Sequence, residues 1–283
     1  MIDMDLLFDT IKRNSIEVIF DKERAGAVQK GSSKFGGKPD LPENFKWPYC
    51  LTDSFDDTEV KNRPLLFLAQ INCEEVSEYD AEGLLPERGI MYFFYEIGSQ
   101  KWGFDPKDKG CAQVFYYEEA PEDFVPAEFP KDLQEDFILP EIALKFEQKA
   151  SVPGSQEFFL NNIADLEWEE YEKEREKFCG SSEESITKLL GYADIIQNEM
   201  LTECELVSRN IYMGGKYPKM TAEQENQLNK AAREWVLLFQ IDSVEKEDFI
   251  MMFGDCGRIY FYIKKEDLEK RNFENIWLIL QCY

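Results

Sequence analysis

Two segments of the chain share one unusual pattern, an uncharged amide inside an otherwise apolar run. Residues 66–72 read LFLAQIN and residues 236–242 read VLLFQID, so that Gln70 and Gln240 occupy the same place in each run. Continuous apolar runs of this length predict buried strands. A buried amide must find hydrogen-bond partners within the fold. The pattern therefore predicts two related β-rich halves.

Two further matches occur in the same order along the chain. Residues 89–94 (GIMYFF) correspond to residues 257–262 (GRIYFY), with an offset of 168 positions against 170 for the two glutamines. Residues 35–40 (FGGKPD) correspond more weakly to residues 189–194 (LLGYAD), with an offset of 154 that requires an insertion in the second copy. Three ordered matches, each with a polar or glycine marker, predict an internal duplication.

The other predicted elements are mixed. Helices are predicted at residues 3–11, at 166–178, from the capping box at Thr221 towards Arg233, and near Glu266, and strands at 16–20, 64–71, 89–95, 111–117, 235–241, 258–263 and 276–282. The predicted class is α+β and β-rich, with two diverged copies of one unit packed together with several helices. The first half, 1–145, ends in an acidic, proline-rich connector at 118–141, and the second half is 146–283. Together they are expected to form one compact globular unit.

The charge balance selects among partners. Asp and Glu total 57 against 32 for Lys and Arg, a formal net charge of −25. Such a surface repels phosphate backbones and anionic lipid, so we expect neither nucleic acid nor membrane as a partner, whereas a basic protein is attracted. The alternative is that the acidity only maintains solubility. The connector has nine acidic residues and one lysine, and Phe124, Phe129 and Phe137 are its candidate partner-facing anchors.

The cysteines predict a reducing compartment. Seven are scattered along the chain with no Cys-x-x-Cys pair, which is typical of free thiols. The first residues carry acids where a signal peptide needs bases, and no run approaches the roughly 20 apolar residues of a membrane span. The expected location is cytoplasmic.

The residue types of the chain give little support for catalysis or for metal binding. The chain has no histidine, which excludes Ser-His-Asp and Cys-His catalysis and every imidazole metal site. Residues 31–39 (GSSKFGGKP) resemble a phosphate loop, but the hydroxyl residue after the lysine is replaced by Pro39. We therefore predict no catalytic residue, no metal ligand and no cofactor.

The two glutamines leave two hypotheses open. In the first, each amide binds the backbone of a neighbouring loop, 37–40 or 191–194. In the second, they belong to a ligand site in the cleft between the halves. Both hypotheses use the same candidate residues, which are Asp40, Gln70, Asn72, Asp194, Gln240 and Asp242.

These motifs resemble a known family. The order SKFGGKPDLP (33–42), LFLAQIN and GIMYFFY in the first half, and LGYADIIQ (190–197), LFQID and GDCGRIYF in the second, is similar to the YwqG-like proteins of bacteria. The resemblance implies a duplicated α+β fold in a domain of unknown function, and it supplies no catalytic residue and no substrate. Ala193 departs from the family pattern, which has a proline there, so a less rigid loop is expected.

Two functions follow as hypotheses. The first is a non-enzymatic binding or interaction protein, in a narrower form an immunity-type inhibitor that neutralises a basic toxin. The alternative is a carboxylate-dependent enzyme or a small-polar-ligand binder, with its site in the cleft between the two halves. A deep cleft favours the alternative, and an exposed acidic and aromatic patch favours the protein partner.

Overall fold

Runs of strands with helices between them follow one another along the chain, an order typical of α+β proteins. The computed structural model describes residues 2–21, 28–118, 124–157, 159–160, 163, 166–180, 186–246 and 249–283. Its helices are α1 (Met4–Ile11), α2 (Cys73–Val76), α3 (Trp168–Cys179), α4 (Leu201–Ser208), α5 (Ala222–Ala232) and α6 (Lys265–Glu269). Its strands are β1 (Arg13–Asp21), β2 (Lys34–Phe35), β3 (Asp40–Leu41), β4 (Tyr49–Thr52), β5 (Lys61–Pro64), β6 (Leu66–Asn72), β7 (Ile90–Tyr95), β8 (Ala112–Tyr117), β9 (Val125–Pro126), β10 (Ile142–Ser151), β11 (Lys188–Leu190), β12 (Trp235–Asp242), β13 (Val244–Lys246), β14 (Phe249–Met251), β15 (Arg258–Lys264) and β16 (Trp277–Gln281).

One large antiparallel sheet organises the fold. Its order is β16-β15-β12-β11-β1-β10-β2-β6-β7-β8. The two longest strands, β1 and β10, pair in the middle along their whole length, from Arg13 opposite Ser151 to Asp21 opposite Ala143. Four strands of the second half follow β1 on one side, and four strands of the first half follow β10 on the other. The sheet therefore has a central pair and two flanks of equal size.

The two flanks share one apolar core. The ring of Phe93 on β7 lies 4.7 Å from that of Phe239 on β12 and 5.3 Å from that of Phe261 on β15, although five strands lie between β7 and β12 in the sheet order. The sheet must therefore curve until its flanks face each other. A continuous cluster of buried side chains from both halves, including Ile16 of the central pair, fills the space between them. The α+β, β-rich prediction is confirmed.

The central strand β10 was not predicted from the sequence. Only five of its ten residues are buried or half-buried, and the segment from Glu147 to Ala150 is exposed. Such a strand has neither a continuous apolar run nor clean alternation. The predicted boundary between residues 145 and 146 falls inside this strand, and the division into two halves stays a prediction. The helix α4 was also not predicted.

The two helix N-caps predicted from the sequence, Asp3 and Thr221, are confirmed. The Asp3 carboxylate accepts from the Leu6 backbone N–H at the start of α1, 3.2 Å away. At the start of α5, Thr221 and Gln224 form the reciprocal capping box that the sequence indicates. In the part of the chain that the structure describes, no helix combines the length and apolar character that a membrane span needs.

Two of the seven cysteines are paired, which corrects the prediction of seven free thiols. Cys50 on β4 and Cys111, just before β8, form a disulfide across 61 residues of sequence, with their Cα atoms 5.2 Å apart. The remaining five are free, and of these Cys256 is exposed and Cys179 half-buried. The prediction of a reducing compartment therefore rests on five free cysteines and not on seven.

Thiol counting tests this pairing. Denatured protein that has never met a reductant is expected to show five reactive thiols, and seven after reduction, because one disulfide removes two. The Cys50→Ser variant should show six without reduction, since its partner is released. Seven reactive thiols in the unreduced wild type would contradict the disulfide.

A buried carboxyl group makes the stability depend on pH. Glu157 is buried, and within the described residues its Oε2 atom has no hydrogen-bond partner. Burial, with the nearby charge of Glu199, raises the pKa of Glu157 to about 7. The folded state therefore holds a proton that the unfolded chain releases near pH 4.5, so this group's contribution is present below that pH and is lost as pH rises through 7.

We expect Glu157→Gln to be less sensitive to pH than the wild type. The free energy of unfolding of the variant, relative to wild type, should rise between pH 5 and pH 8 by at most about 3 kcal/mol, because each pKa unit corresponds to about 1.4 kcal/mol. Urea unfolding at both pH values measures it, with Glu87→Gln at an exposed position as the control. A difference that is the same at both pH values would rule out the raised pKa.

Candidate functional site

Gln70 ties the loop before β3 to the main sheet. Its Oε1 atom accepts from the Asp40 backbone N–H at 2.8 Å. Its Nε2 atom donates to the Asp40 Oδ2 atom and to the Ser32 carbonyl, both at 2.8 Å. The side chain is fully buried, and both of its donor hydrogens and its acceptor are in use. The amide therefore holds the loop and leaves no group for a ligand.

Three more polar groups complete this first cluster. The Lys34 ammonium, on β2 opposite Gln70, lies 3.0 Å from Glu141 Oε2 and 3.4 Å from Asp40 Oδ2. The Tyr92 hydroxyl, on β7 opposite Gln70, donates to the Asp40 carbonyl. The backbone N–H of Gly31 donates to Asp40 Oδ2 at 2.9 Å. Asp40 is thus bonded through its N–H, its carbonyl and its carboxylate.

Gln240 forms the same contacts in the second half. Its Oε1 atom accepts from the Asp194 N–H at 2.9 Å, and its Nε2 atom donates to Asp194 Oδ2 at 3.0 Å and to the Ile186 carbonyl at 2.8 Å. The Lys188 ammonium lies 2.5 Å from Asp194 Oδ2. The Tyr260 hydroxyl donates to the Asp194 carbonyl at 2.8 Å. The second cluster is therefore a Lys-Asp-Gln-Tyr set like the first.

The strand registers of the two clusters agree as well. Lys34 and Lys188 each stand opposite a glutamine on one neighbouring strand, and Tyr92 and Tyr260 stand opposite the same glutamines on the other side. Neither the two lysines nor the two tyrosines were predicted from the sequence as parts of a site. Their spacing could have found them, because the lysines are 154 positions apart, as are Gly37 and Gly191, and the tyrosines 168, as are Gly89 and Gly257. These shared contacts agree with a duplication, which stays a prediction.

The predicted site residues form two groups rather than one. Asp40, Gln70 and Asn72 lie in the first cluster, and Asp194, Gln240 and Asp242 in the second. Because β10 and β1 lie between β2 and β11, three strand spacings of about 4.8 Å, about 14 Å in all, separate the clusters along the sheet. No cleft between the halves brings the six described residues together. The contacts correspond to the hypothesis in which each amide holds a loop.

The outer residues of each group also have partners. The Asn72 amide donates to the Gly31 carbonyl at 2.9 Å, and its oxygen accepts from the Glu74 N–H at the start of α2. The Asp242 carboxylate accepts from the Ile186 N–H at 3.0 Å and lies 3.1 Å from the Arg258 guanidinium. Both side chains therefore support the loop that precedes β2 or β11.

The charge state of Asp194 is set by its two cations. Burial by itself raises the pKa of this carboxyl group, but Lys188 and Arg175 outweigh burial and hold the pKa below its usual value. Arg175 reaches it from α3, with its Nη2 atom 3.3 Å from Asp194 Oδ1. Asp194 is therefore a carboxylate at neutral pH, and it cannot act as a general acid there.

The connector does not present its three phenylalanines as expected. Phe124 is 1% exposed and packs on the ring of Tyr117, so its prediction as an exposed anchor is wrong. Phe129 is half-buried against Trp47, and Phe137 is half-buried against the main core. The physical reason is that β9 pairs with β3, which draws the connector onto the body of the protein.

An exposed apolar and acidic surface lies beside the connector instead. We define the hairpin surface as residues 49–64, which are β4, β5 and the loop between them. Leu51, Phe55 and Val60 are 66%, 72% and 62% exposed. Asp56 and Glu59 between them are also exposed. Large apolar side chains exposed together with charges mark interaction surfaces more often than scattered single ones do.

The hairpin surface is joined to the connector and held rigidly. The Tyr49 hydroxyl donates to Asp132 Oδ1 at 2.9 Å, and residues of both segments line a small pocket of about 40 Å³. The Cys50 disulfide fixes the inner face of β4. The Arg63 guanidinium donates to the carbonyls of Thr52, Asp57 and Glu59 and so braces the loop. Leu51, on the outer face of β4, is therefore presented by a braced strand.

Comparison with known proteins supports one assignment. A family model described as a domain of unknown function (DUF1963) matches residues 33–282. The chain belongs to this family. No curated protein matches it. The match covers the hairpin surface, the second cluster and the lysine, aspartate, glutamine and tyrosine of the first cluster. The resemblance to YwqG-like proteins stays a prediction.

The loop-holding role of the glutamines can be tested by substitution. Gln70→Ala and Gln240→Ala are each expected to lower the free energy of unfolding by about 1–3 kcal/mol, because each removes the hydrogen-bond partner of an aspartate backbone N–H and of a loop carbonyl. Gln148→Ala, at an exposed position on β10, is the control and should change stability by less than about 0.5 kcal/mol. Chemical unfolding measures all three. Unchanged stability in both buried variants would contradict the role.

Proposed function

We propose that this protein is a non-enzymatic binding protein that docks a basic protein partner on the hairpin surface. The observation that carries the proposal is the exposure of Leu51, Phe55 and Val60 on one braced hairpin. Two exposed acids between them, Asp56 and Glu59, have no ion pair among the described residues. Apolar anchors surrounded by a charged rim are the usual anatomy of a protein interface.

The charges near the hairpin surface favour a basic occupant. Lys61 and Arg63 are both paired with Asp57, at 2.6 and 3.1 Å, and therefore offer little positive charge to a partner. Asp56 and Glu59 have no salt bridge among the described residues, and neither do Glu135 and Asp136 of the adjoining connector. A second copy of the chain would bring like charges together, at a net charge of −25 each.

The rigidity of the hairpin surface supports tight binding. Association costs free energy for every side chain and loop that becomes ordered. Here the disulfide, the Arg63 contacts and the ion pair of Lys101 with Asp53, at 2.5 Å, already order the loop. A partner that buries Leu51 and Phe55 therefore meets a surface that has already been organised.

A narrower form of the proposal is an immunity-type inhibitor of a basic toxin. Fast association through opposite charges and slow dissociation through buried apolar anchors are what neutralising a toxin requires. The acidic surface and the anchors of the hairpin supply the two properties. The proposal needs no catalytic group.

Two hairpin variants separate the contributions. Leu51→Ser combined with Phe55→Ser is expected to raise the dissociation rate of the partner about tenfold or more, because buried anchors carry most of the binding energy. Asp56→Asn combined with Glu59→Gln should instead lower the association rate and weaken its salt dependence. Partners are first captured from native cells at low salt, and each purified candidate is then measured by surface plasmon resonance.

Leu6→Ser is the matched control, since Leu6 is as exposed as Leu51, at 66%, but lies on α1 away from the hairpin. It should bind as the wild type does. Purified partners that bind the wild type and both hairpin variants with the same rates would refute the hairpin surface as the docking site.

A further inference from the structure

The two polar clusters differ in how their buried lysines are neutralised. The side chains of Lys34 and Lys188 are only 5% and 9% exposed. Lys34 contacts two carboxylates, Glu141 and Asp40, whereas Lys188 contacts only Asp194 among the described residues. An ammonium group has three N–H donors, and leaving them unbonded in a buried place is costly. Lys188 therefore has donors to spare for another acceptor.

The strand registers show what replaces the missing carboxylate. In the first half Phe35 pairs with Ile142, and Glu141 is the residue before it. In the second half Leu189 pairs with Ile16, and Ser15 is the residue before that. A carboxylate that contacts the buried lysine in one cluster thus corresponds to a short hydroxyl side chain in the other.

The glycines next to these positions give an independent check. Gly37 and Gly191 both have positive φ angles, +65° and +73°. A Cβ atom added to Gly37 would lie 2.7 Å from the Cβ atom of Glu141, and one added to Gly191 would lie 2.6 Å from the Cβ atom of Ser15. Glu141 and Ser15 therefore occupy the same place relative to equivalent turns.

The shorter side chain leaves a pocket. A cavity of about 80 Å³ lies beside Lys188, and its walls include Ser15, Ser151, Arg175 and Asp194. Since a water molecule takes about 30 Å³ in the liquid, the cavity has room for roughly two or three waters or one small oxyanion. In the first cluster the Glu141 carboxylate contacts the lysine from the corresponding side.

The charges around the pocket favour an anion. Counted over the residues that the structure describes, its walls carry Lys149, Arg175 and Lys188 against Glu17 and Asp194, one positive charge in excess on a chain of net −25. Each wall carboxylate is paired, Glu17 with Lys149 at 3.5 Å and Asp194 with Lys188. Lys149 and Arg175 have further carboxylate neighbours outside the pocket, at 2.9 and 3.4 Å, so Lys188 is the cation with the fewest contacts.

A hydroxyl donor completes the set. The Ser151 Oγ atom accepts from the Tyr192 N–H at 3.0 Å, which leaves its own O–H to donate. The Ser15 hydroxyl donates only weakly, to the Lys149 carbonyl at 3.4 Å. Ammonium, guanidinium and hydroxyl donors around one small cavity are the groups that bind carboxylate and phosphate oxygens in proteins.

We infer that this pocket binds a small oxyanion of the carboxylate or phosphate type, whose oxygens take the place that the Glu141 carboxylate has beside Lys34. The ligand accepts from the Lys188 ammonium, the Arg175 guanidinium and the Ser151 hydroxyl. The inference is independent of the proposed function, because no residue of the hairpin surface lines the pocket.

Inorganic phosphate and acetate are suitable probes, titrated into the full chain by calorimetry and by two-dimensional NMR at constant ionic strength made up with chloride. The wild type is expected to bind at least one of them saturably, with the largest shifts at the Ser151, Lys188 and Asp194 amides. The relative affinity of the two probes distinguishes a phosphate-type from a carboxylate-type ligand. Absence of saturable binding of both probes would overturn the inference.

Ser15→Glu is the decisive variant, because it places in the second cluster the carboxylate that the first already has. It should keep the wild-type fold and lower the affinity at least tenfold. Arg175→Gln should lower the affinity about tenfold through the loss of a charge-assisted hydrogen bond, and it serves if Ser15→Glu does not fold. Lys177→Gln, the same charge change on an exposed site of the same helix, should bind as the wild type. The inference would also be overturned if folded Ser15→Glu, or Arg175→Gln, bound the probe with the same affinity as the wild type.

Discussion

A buried glutamine amide needs three partners, and in this fold the surrounding structure is arranged to supply them. Gln70 and Gln240 each form hydrogen bonds with the backbone N–H and the carboxylate of one aspartate, and with the carbonyl of a second loop residue. An unmet buried donor costs about 1–3 kcal/mol. The loops that carry Asp40 and Asp194 therefore cannot move away from the glutamines without a loss of stability. The lysine and the tyrosine on the neighbouring strands then bond to the same aspartate. The amide therefore fixes a loop, and the loop fixes where the next polar groups lie.

The β1–β10 pair allows these two arrangements to exist in one sheet without sharing a site. It stands between the flanks, so each cluster meets a different central strand, the first β10 and the second β1. Substitution on β1 therefore changes the second cluster and leaves the first as it is. Glu141 and Ser15 illustrate the consequence, because one position supplies a carboxylate and the other leaves a cavity. The apolar core between the flanks is common to both clusters. The difference between Glu141 and Ser15 does not affect that core.

The sequence predicted what local pattern controls and missed what depends on distant contacts. The strands around Gln70 and Gln240 were predicted because their side chains are apolar on both faces. β10 was not, because its centre has polar residues on the exposed face while its backbone is held by β1. Lys34 and Lys188 were overlooked since a lysine next to a turn usually lies in water, and only their partners show that they are buried. Phe124 was predicted to be exposed because it lies among acids, and Cys50 was predicted to be free because its partner Cys111 lies 61 residues away. In both cases only contacts with distant residues show the actual environment.

The charge of the chain acts oppositely on the two proposed ligands. A net charge of −25 attracts a basic protein from a distance and repels a small anion. Salt screens charges at the surface over about 8 Å at physiological ionic strength but screens buried pairs much less. Added chloride should therefore slow association at the hairpin surface while it eases the approach of an oxyanion to the pocket. Once inside, the anion is held by donors that salt hardly reaches, and Lys188 is the least neutralised of them. Opposite salt responses of two binding events on one chain would thus identify which surface each of them uses.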